Sequence, residues 1–267
     1  MRHPIVRTAL VGLVCLWTSQ VVQAEDYRSL VDRSEKRVYR DASGDSLPYR
    51  LFIPAKYDRQ QKYPLILFLH GAGERGDDNS RQLVHAGVLR FVSDAVAARQ
   101  PCFLVAPQCP NGCRWMEVDW GKKTPPETPA EPSRPMRLTM ELLESLQKEF
   151  SIDPDRLYVT GLSMGGFGSY DLAVRWSDRI AAAVPICGGG DTSRAKQIAP
   201  IAFWIVHGGA DGVVSVGLSH QMVEALKAAG ASPRYSEYPG VGHNSWTKAY
   251  EEPELVDWLF SQKRKAK

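Results

Sequence analysis

The chain has 267 residues and a formal charge of +3, with 43% hydrophobic and 24% charged residues, too apolar and too evenly charged for a disordered polymer. That balance leaves no electrostatic footprint for a nucleic-acid partner. The one basic cluster, Lys263-Arg264-Lys265 with Lys267, reads as a solvated terminal tail. Beyond the N-terminal segment no apolar run is long enough to span a bilayer.

Met1 to Arg7 carries two arginines and no acid, Thr8 to Thr18 is mostly apolar, and Val22-Gln23-Ala24 offers small residues where a signal peptidase cuts. This layout predicts a secretory signal peptide over residues 1–24. Cys15 is not read as a lipidation site, because Val14 stands where a small residue is expected. Cleavage after Ala24 leaves 243 residues with a charge near +1, enough for one catalytic domain over 25–267 in a secreted or periplasmic protein. Four cysteines remain, Cys102, Cys109, Cys113 and Cys187, and an exported chain with an even count permits two disulfides. Cys109 and Cys113, inside C-P-N-G-C, would close a tight loop. The same four make a poor zinc site, with no pair of CxxC units and no histidine near them in sequence.

In chain order, Arg37–Arg40 and Pro48–Pro54 flank the turn-forming Ala42–Ser46 and predict a β-hairpin. Leu65–Leu69 is a continuous apolar run of the kind buried on both faces of a parallel sheet. It ends in His70-Gly71-Ala72-Gly73. Apolar spacing from Leu83 to Val96 predicts a helix over Gln82–Ala98, and Cys102–Ala106 is a further buried strand. Gln108–Pro135 is rich in Pro, Gly and charge and reads as a long loop, with Trp115 and Trp120 to anchor it. Met136–Phe150 returns to helical spacing. Leu157–Thr160 is a strand, Gly166–Trp176 a helix, and Ile180–Cys187 and Ile201–Val206 are strands. Val216–Ala229 is a helix stopped by Gly230, Arg234–Tyr238 a last strand, and Glu254–Gln262 a closing helix. The alternation predicts an α/β fold with a mostly parallel central sheet and helices on both faces.

Between the central strand and its helix lies Gly161-Leu162-Ser163-Met164-Gly165, a G-x-S-x-G turn. A strand reversing this sharply into a helix needs small neighbours and leaves the serine hydroxyl at the tip, which makes Ser163 the candidate nucleophile. A serine needs a base, and the base needs a carboxylate to fix its tautomer. Polar groups of an open parallel sheet gather beyond the strand carboxyl ends. There the chain offers His243, in Gly240-Val241-Gly242-His243, and Asp211, in His207-Gly208-Gly209-Ala210-Asp211. Asp191, after Cys187-Gly188-Gly189-Gly190, rivals Asp211. His70 and His207 adjoin Gly-rich turns and read as loop hydrogen-bonders, while His85 and His220 fall in helical patterns and read as structural. The amides of Met164 and Ala72 are the candidate oxyanion donors.

Taken together, HGAGERGDDN, GLSMGG, HGGAD and GVGHNSW resemble the α/β-hydrolase superfamily. The nearest likeness is to secreted bacterial carboxylesterases of the predicted-peptidase, phospholipase/carboxylesterase and dienelactone-hydrolase-like kind. The resemblance runs from about Arg37 onward. It implies the α/β-hydrolase fold and a serine esterase needing no metal or cofactor, with nucleophile Ser163, acid Asp211 and base His243. Its substrates would be small-molecule or polysaccharide esters. No large inserted lid is present, so the loop carrying Trp115 and Trp120, with Trp246 after the histidine, is expected to line an open cleft, Trp115 and Trp246 being the candidate substrate-binding residues. A peptidase of the same fold and a non-catalytic carbohydrate- or surface-binding protein are the alternatives.

Overall fold

The computed structural model describes residues 27–264, and the expected leader over 1–24 lies outside them. The hairpin forms as β1 (Glu35–Arg40) and β2 (Ser46–Phe52), antiparallel, with Gly44 turning at φ 90°. β3 (Tyr63–Leu69), β4 (Phe103–Pro107), β5 (Ile152–Leu162), β6 (Ala182–Ile186), β7 (Ala202–Gly208) and β8 (Arg234–Tyr238) complete an eight-stranded sheet. Its order is β1-β2-β4-β3-β5-β6-β7-β8, parallel from β4 to β8. β3 is buried at all seven positions, as its unbroken apolar run requires.

The helices are α1 (Asp94–Ala97), α2 (Arg134–Glu149), α3 (Met164–Arg175), α4 (Ala195–Ile198), α5 (Val216–Ala228), α6 (Trp246–Glu251) and α7 (Leu255–Ser261). Successive strand side chains point to opposite faces, and the core splits accordingly. Leu65, Leu67, Val159 and Ile205 pack under α2, α3 and α5. Ile66, Phe68, Tyr158 and Val206 pack against the 3-10 helix Ala86–Val92 with α6 and α7.

Three expectations are corrected. The predicted helix over 82–98 is broken into the 3-10 turns Arg81–Leu83 and Ala86–Val92, followed by the single turn of α1. Gly87 lies so close to the Tyr250 side chain that a Cβ there would come within 3.2 Å of it, and the Arg90 guanidinium reaches the carbonyls of Tyr250 and Glu252, so tertiary contacts with α6 and its C-cap set the path. Among the described residues Cys102, Cys109, Cys113 and Cys187 are all free thiols; burial pushes Cys102 up to about 12 and raises Cys187, so both remain protonated. The basic terminus is not wholly solvated: Arg264 forks onto Asp155 at 2.7 and 3.0 Å. Lys265 and Lys267 lie outside the described residues.

Candidate active site

β5 runs between β3 and β6, so the turn at its carboxyl end stands mid-sheet. Ser163 occupies that turn at φ 52°, ψ −117°, a left-handed conformation that costs a non-glycine residue of order 1–3 kcal/mol. Its amide donates to Ile186 O at 2.9 Å, tying the turn to β6. A Cβ on Gly165 would overlap Leu69 O, and one on Gly161 would overlap Gly165 O. The bend exists because neither position has a side chain.

β7 and β8 end on the same edge and deliver Asp211 and His243. His243 Nδ1 donates to Asp211 Oδ2 at 2.7 Å, and His243 Nε2 accepts from Ser163 Oγ at 2.9 Å. The Asp211 side chain is fully enclosed, and its Oδ1 takes the amides of Val213 and Val214 at 2.8 and 3.0 Å. Burial pushes its pKa up, but the His243 bond and the two amides outweigh that, leaving the carboxylate below its usual value. His207 Nε2 donates to Val214 O at 3.1 Å and lies 3.3 Å from Asp211 Oδ2, while its Nδ1 accepts from Ser219 Oγ at 2.7 Å. Asp191 stands elsewhere. It accepts from Ser193 N and Oγ at 3.0 and 2.6 Å and from Thr128 N at 2.7 Å, holding the long loop after β4.

The loop after β3 carries Ala72 at the start of a 3-10 turn, and Met164 opens α3; first-turn amides have no intrahelical acceptor. Arg75 Nε donates to Ala72 O at 2.8 Å and fixes that peptide. Asn79, Asp78 and Gln108 brace the rest of the loop, Asn79 N donating to Gln108 Oε1 at 2.7 Å and Gln108 Nε2 to Glu74 O at 3.1 Å. The GERGDDN run thus builds the frame around Ala72.

A cavity of about 250 Å³ opens over Ser163 and His243. Trp246, on α6, lines it and meets the His243 ring edge-on at 5.5 Å. Trp115 does not line it, contrary to expectation. It is fully buried, its indole N–H donating to His70 O at 3.0 Å and its ring filling the gap over Gly168. Trp120, on the same loop, does line the wall, with the Arg114 guanidinium 4.4 Å over its ring. Also on the wall are Val213, Val214, Glu74 and His85. His85, expected inside a helix, emerges at the break before Ala86. Only its neighbourhood to Trp246, invisible in sequence, would have marked it.

Among the described residues one trio offers metal-ligating atoms within 4.8 Å of one another, Cys187, Asp211 and His243. Burial keeps the Cys187 thiol protonated, and the other two already hold each other. What Asp211 and His243 form with Ser163 is instead a hydrogen-bonded line in which the imidazole can accept the serine proton while the carboxylate stays ionised.

The family model described as "Putative esterase" matches residues 41–204. Feruloyl esterase D of Neurospora crassa is 24% identical over 229 residues, covering 82% of this chain and 72% of that one. The bifunctional acetylxylan esterase/xylanase XynS20E of Neocallimastix patriciarum is 27% identical over 163 residues, 61% of this chain and 21% of that protein. A solved thermostable esterase superposes with a TM-score of 0.82 at 37% identity, over 88% of this chain and 64% of its own. The chain thus spans about a fifth of the bifunctional relative and under two thirds of the solved one. With the model matching more than half of the sequence and the fold shared, the chain belongs to this esterase family of α/β-hydrolase fold, and it is a serine hydrolase of the carboxylesterase type.

Proposed function

We propose that the protein is an exported esterase that cleaves short-acyl or cell-wall polysaccharide esters through an acyl-enzyme on Ser163, in one catalytic domain over 25–267. The observation that carries this reading is the unbroken chain of hydrogen bonds from Ser163 Oγ through His243 to Asp211 beside an open cavity. His243 Nε2 takes the hydroxyl proton as Ser163 Oγ bonds to the ester carbonyl carbon. The carbonyl oxygen becomes anionic, and the amides of Ala72 and Met164 face that charge. On collapse the C–O bond to the alcohol breaks and His243 returns the proton to the departing oxygen. Water then repeats the sequence, releasing the acid and restoring Ser163. Asp211 stabilises the imidazolium in both halves, and Trp246 and Trp120 supply apolar wall.

Polysaccharide esters are supported as a substrate class by the two relatives above, whose printed names place ferulate and acetylxylan esters among their own substrates. The test is a panel of p-nitrophenyl acetate, acetylated xylan, feruloylated sugars and short peptides. Acid release from the esters is expected, falling about 10⁴-fold or more in Ser163→Ala. Peptide cleavage outpacing every ester would overturn the reading. Export is tested by the N-terminus of protein from the periplasm or medium, expected at Glu25 and contradicted by retention of Met1.

A further inference from the structure

Glu74 is a buried acid that the mechanism above does not use. It is 9% exposed, and its Oε1 lies 3.3 Å from His85 Nε2. Its Oε2 is enclosed yet has no hydrogen-bond partner. That oxygen lies close against Gly71 on the wall of the catalytic cavity; a Cβ on Gly71 would sit 2.9 Å from it. Burial pushes the carboxyl pKa up, but the pairing with His85 outweighs it and leaves the group below its usual value, an anion. A buried carboxylate oxygen with a free acceptor site is costly unless something donates to it.

The same pair stands on a saddle. Gly73, Glu74 and His85 line the catalytic cavity and also a second cavity of about 490 Å³ next to it. The second cavity is walled by the charged and polar Arg28, Ser80 and Arg81 together with the apolar Leu83 and Val84. On the catalytic side, His85 packs against Trp246 at 5.0 Å and Trp246 against His243 at 5.5 Å. The saddle is therefore reached across Trp246 from the imidazole that must hand its proton to the leaving oxygen. Val213, Val214, Leu162 and Trp120 make the rest of the catalytic wall apolar, which suits an acyl chain.

We propose that Glu74 and His85 form the alcohol subsite, taking hydroxyl groups of a carbohydrate alcohol that continues into the second cavity, so that sugar esters are favoured over esters of simple alkanols. Sugar hydroxyls meet the pair at His85, whose side chain is 35% exposed, with Glu74 Oε1 behind it 3.3 Å from its Nε2, and the C–H faces of a pyranose match Leu83, Val84 and the Trp246 ring. The inference rests on the acyl-enzyme reading of Ser163, since it assigns the place of the departing alcohol.

The reverse half-reaction isolates that place. When p-nitrophenyl acetate acylates the enzyme, an added alcohol competes with water. His243 takes the acceptor's hydroxyl proton, its oxygen bonds to the acetyl carbon, the bond to Ser163 Oγ breaks, and the proton returns to Oγ. The measurement is the ratio of acetyl transferred to methyl β-xyloside against 1-propanol at equal concentration, read by chromatography. As a ratio within each sample it does not depend on how much of a variant folds. The wild type is expected to favour the xyloside by about tenfold or more, and Glu74→Gln and His85→Ala to bring the ratio close to one. No sugar preference in the wild type, or a preference intact in both variants, overturns the subsite. Absence of p-nitrophenol release altogether contradicts the hydrolase reading and the inference with it, whereas release without sugar preference contradicts the inference alone.

Discussion

Asp211 and Asp191 both follow Gly-rich strand ends, and their partners separate them. Asp211 gives one oxygen to His243 and the other to two backbone amides, whereas both oxygens of Asp191 are spent on the Thr128 and Ser193 turns. Asp211→Asn should lower kcat on a simple ester by about 10³–10⁴-fold with the fold intact, because the imidazole loses the partner that sets its tautomer. Asp191→Asn should lower thermal stability and move kcat by no more than a few-fold. Equal kinetic losses in the two variants would undo the assignment. Trp115 is a matter of packing. Trp115→Ala empties a fully buried site and leaves His70 O unpaired, so a loss of about 3–5 kcal/mol in urea titration is expected, with KM for a short ester nearly unchanged. A large KM change without a stability loss would return this residue to the cleft.

At the scale of elements, strands and helices were legible where one physical signal dominated. β3 and β4 are buried on both faces and read as such, and α2 shows its stripe and its cap. Ser133 Oγ accepts from Met136 N at 3.2 Å and donates to Trp115 O at 2.8 Å, so one side chain starts the helix and anchors the loop before it. Ser133→Ala should cost about 1–2 kcal/mol in chemical denaturation; a neutral result would mean the cap is dispensable. The stretch 82–98 misled because its apolar residues fit a helix, while Gly87 and Arg90 answer to α6, some 160 residues later. α6 itself was missed, since six residues after a Gly-rich loop carry too little periodicity to register. For the same reason the sequence named Ser163, Asp211 and His243 from strand ends and turn chemistry. It pointed to the loop carrying Trp115 and Trp120, but did not show that Trp120 faces the cavity while Trp115 is buried beneath it, or that Glu74 meets His85. Those follow from loop paths.

The described residues build one sheet with a core on each face, and His70, beneath the site, should make the fold sensitive to acid. His70 is fully enclosed, with Nδ1 donating to Gly71 O at 2.6 Å and Nε2 accepting from Cys109 N at 2.9 Å. Protonation would set two N–H groups against each other there. Burial lowers its pKa to about 4, against about 6.5 for the unfolded chain. Between those values the unfolded state binds a proton that the folded state refuses. Stability from this group is thus complete above pH ~6.5 and falls as pH drops towards 4, by roughly 3 kcal/mol at about 1.4 kcal/mol per unit. Urea titrations at pH 7 and 4.5 should show the loss, and His70→Asn should flatten it. An unchanged slope in the variant would place the acid sensitivity elsewhere.

The position of Ser163 at the centre of that sheet's carboxyl edge, bonded to His243, is the claim on which the rest depends. Its most direct test is mass spectrometry of the protein after reaction with a fluorophosphonate, which modifies only an activated serine. One adduct per chain is expected, mapped to the peptide carrying Ser163, present in the wild type and greatly slowed in His243→Ala. An adduct on another residue, or none while ester hydrolysis proceeds, would contradict it.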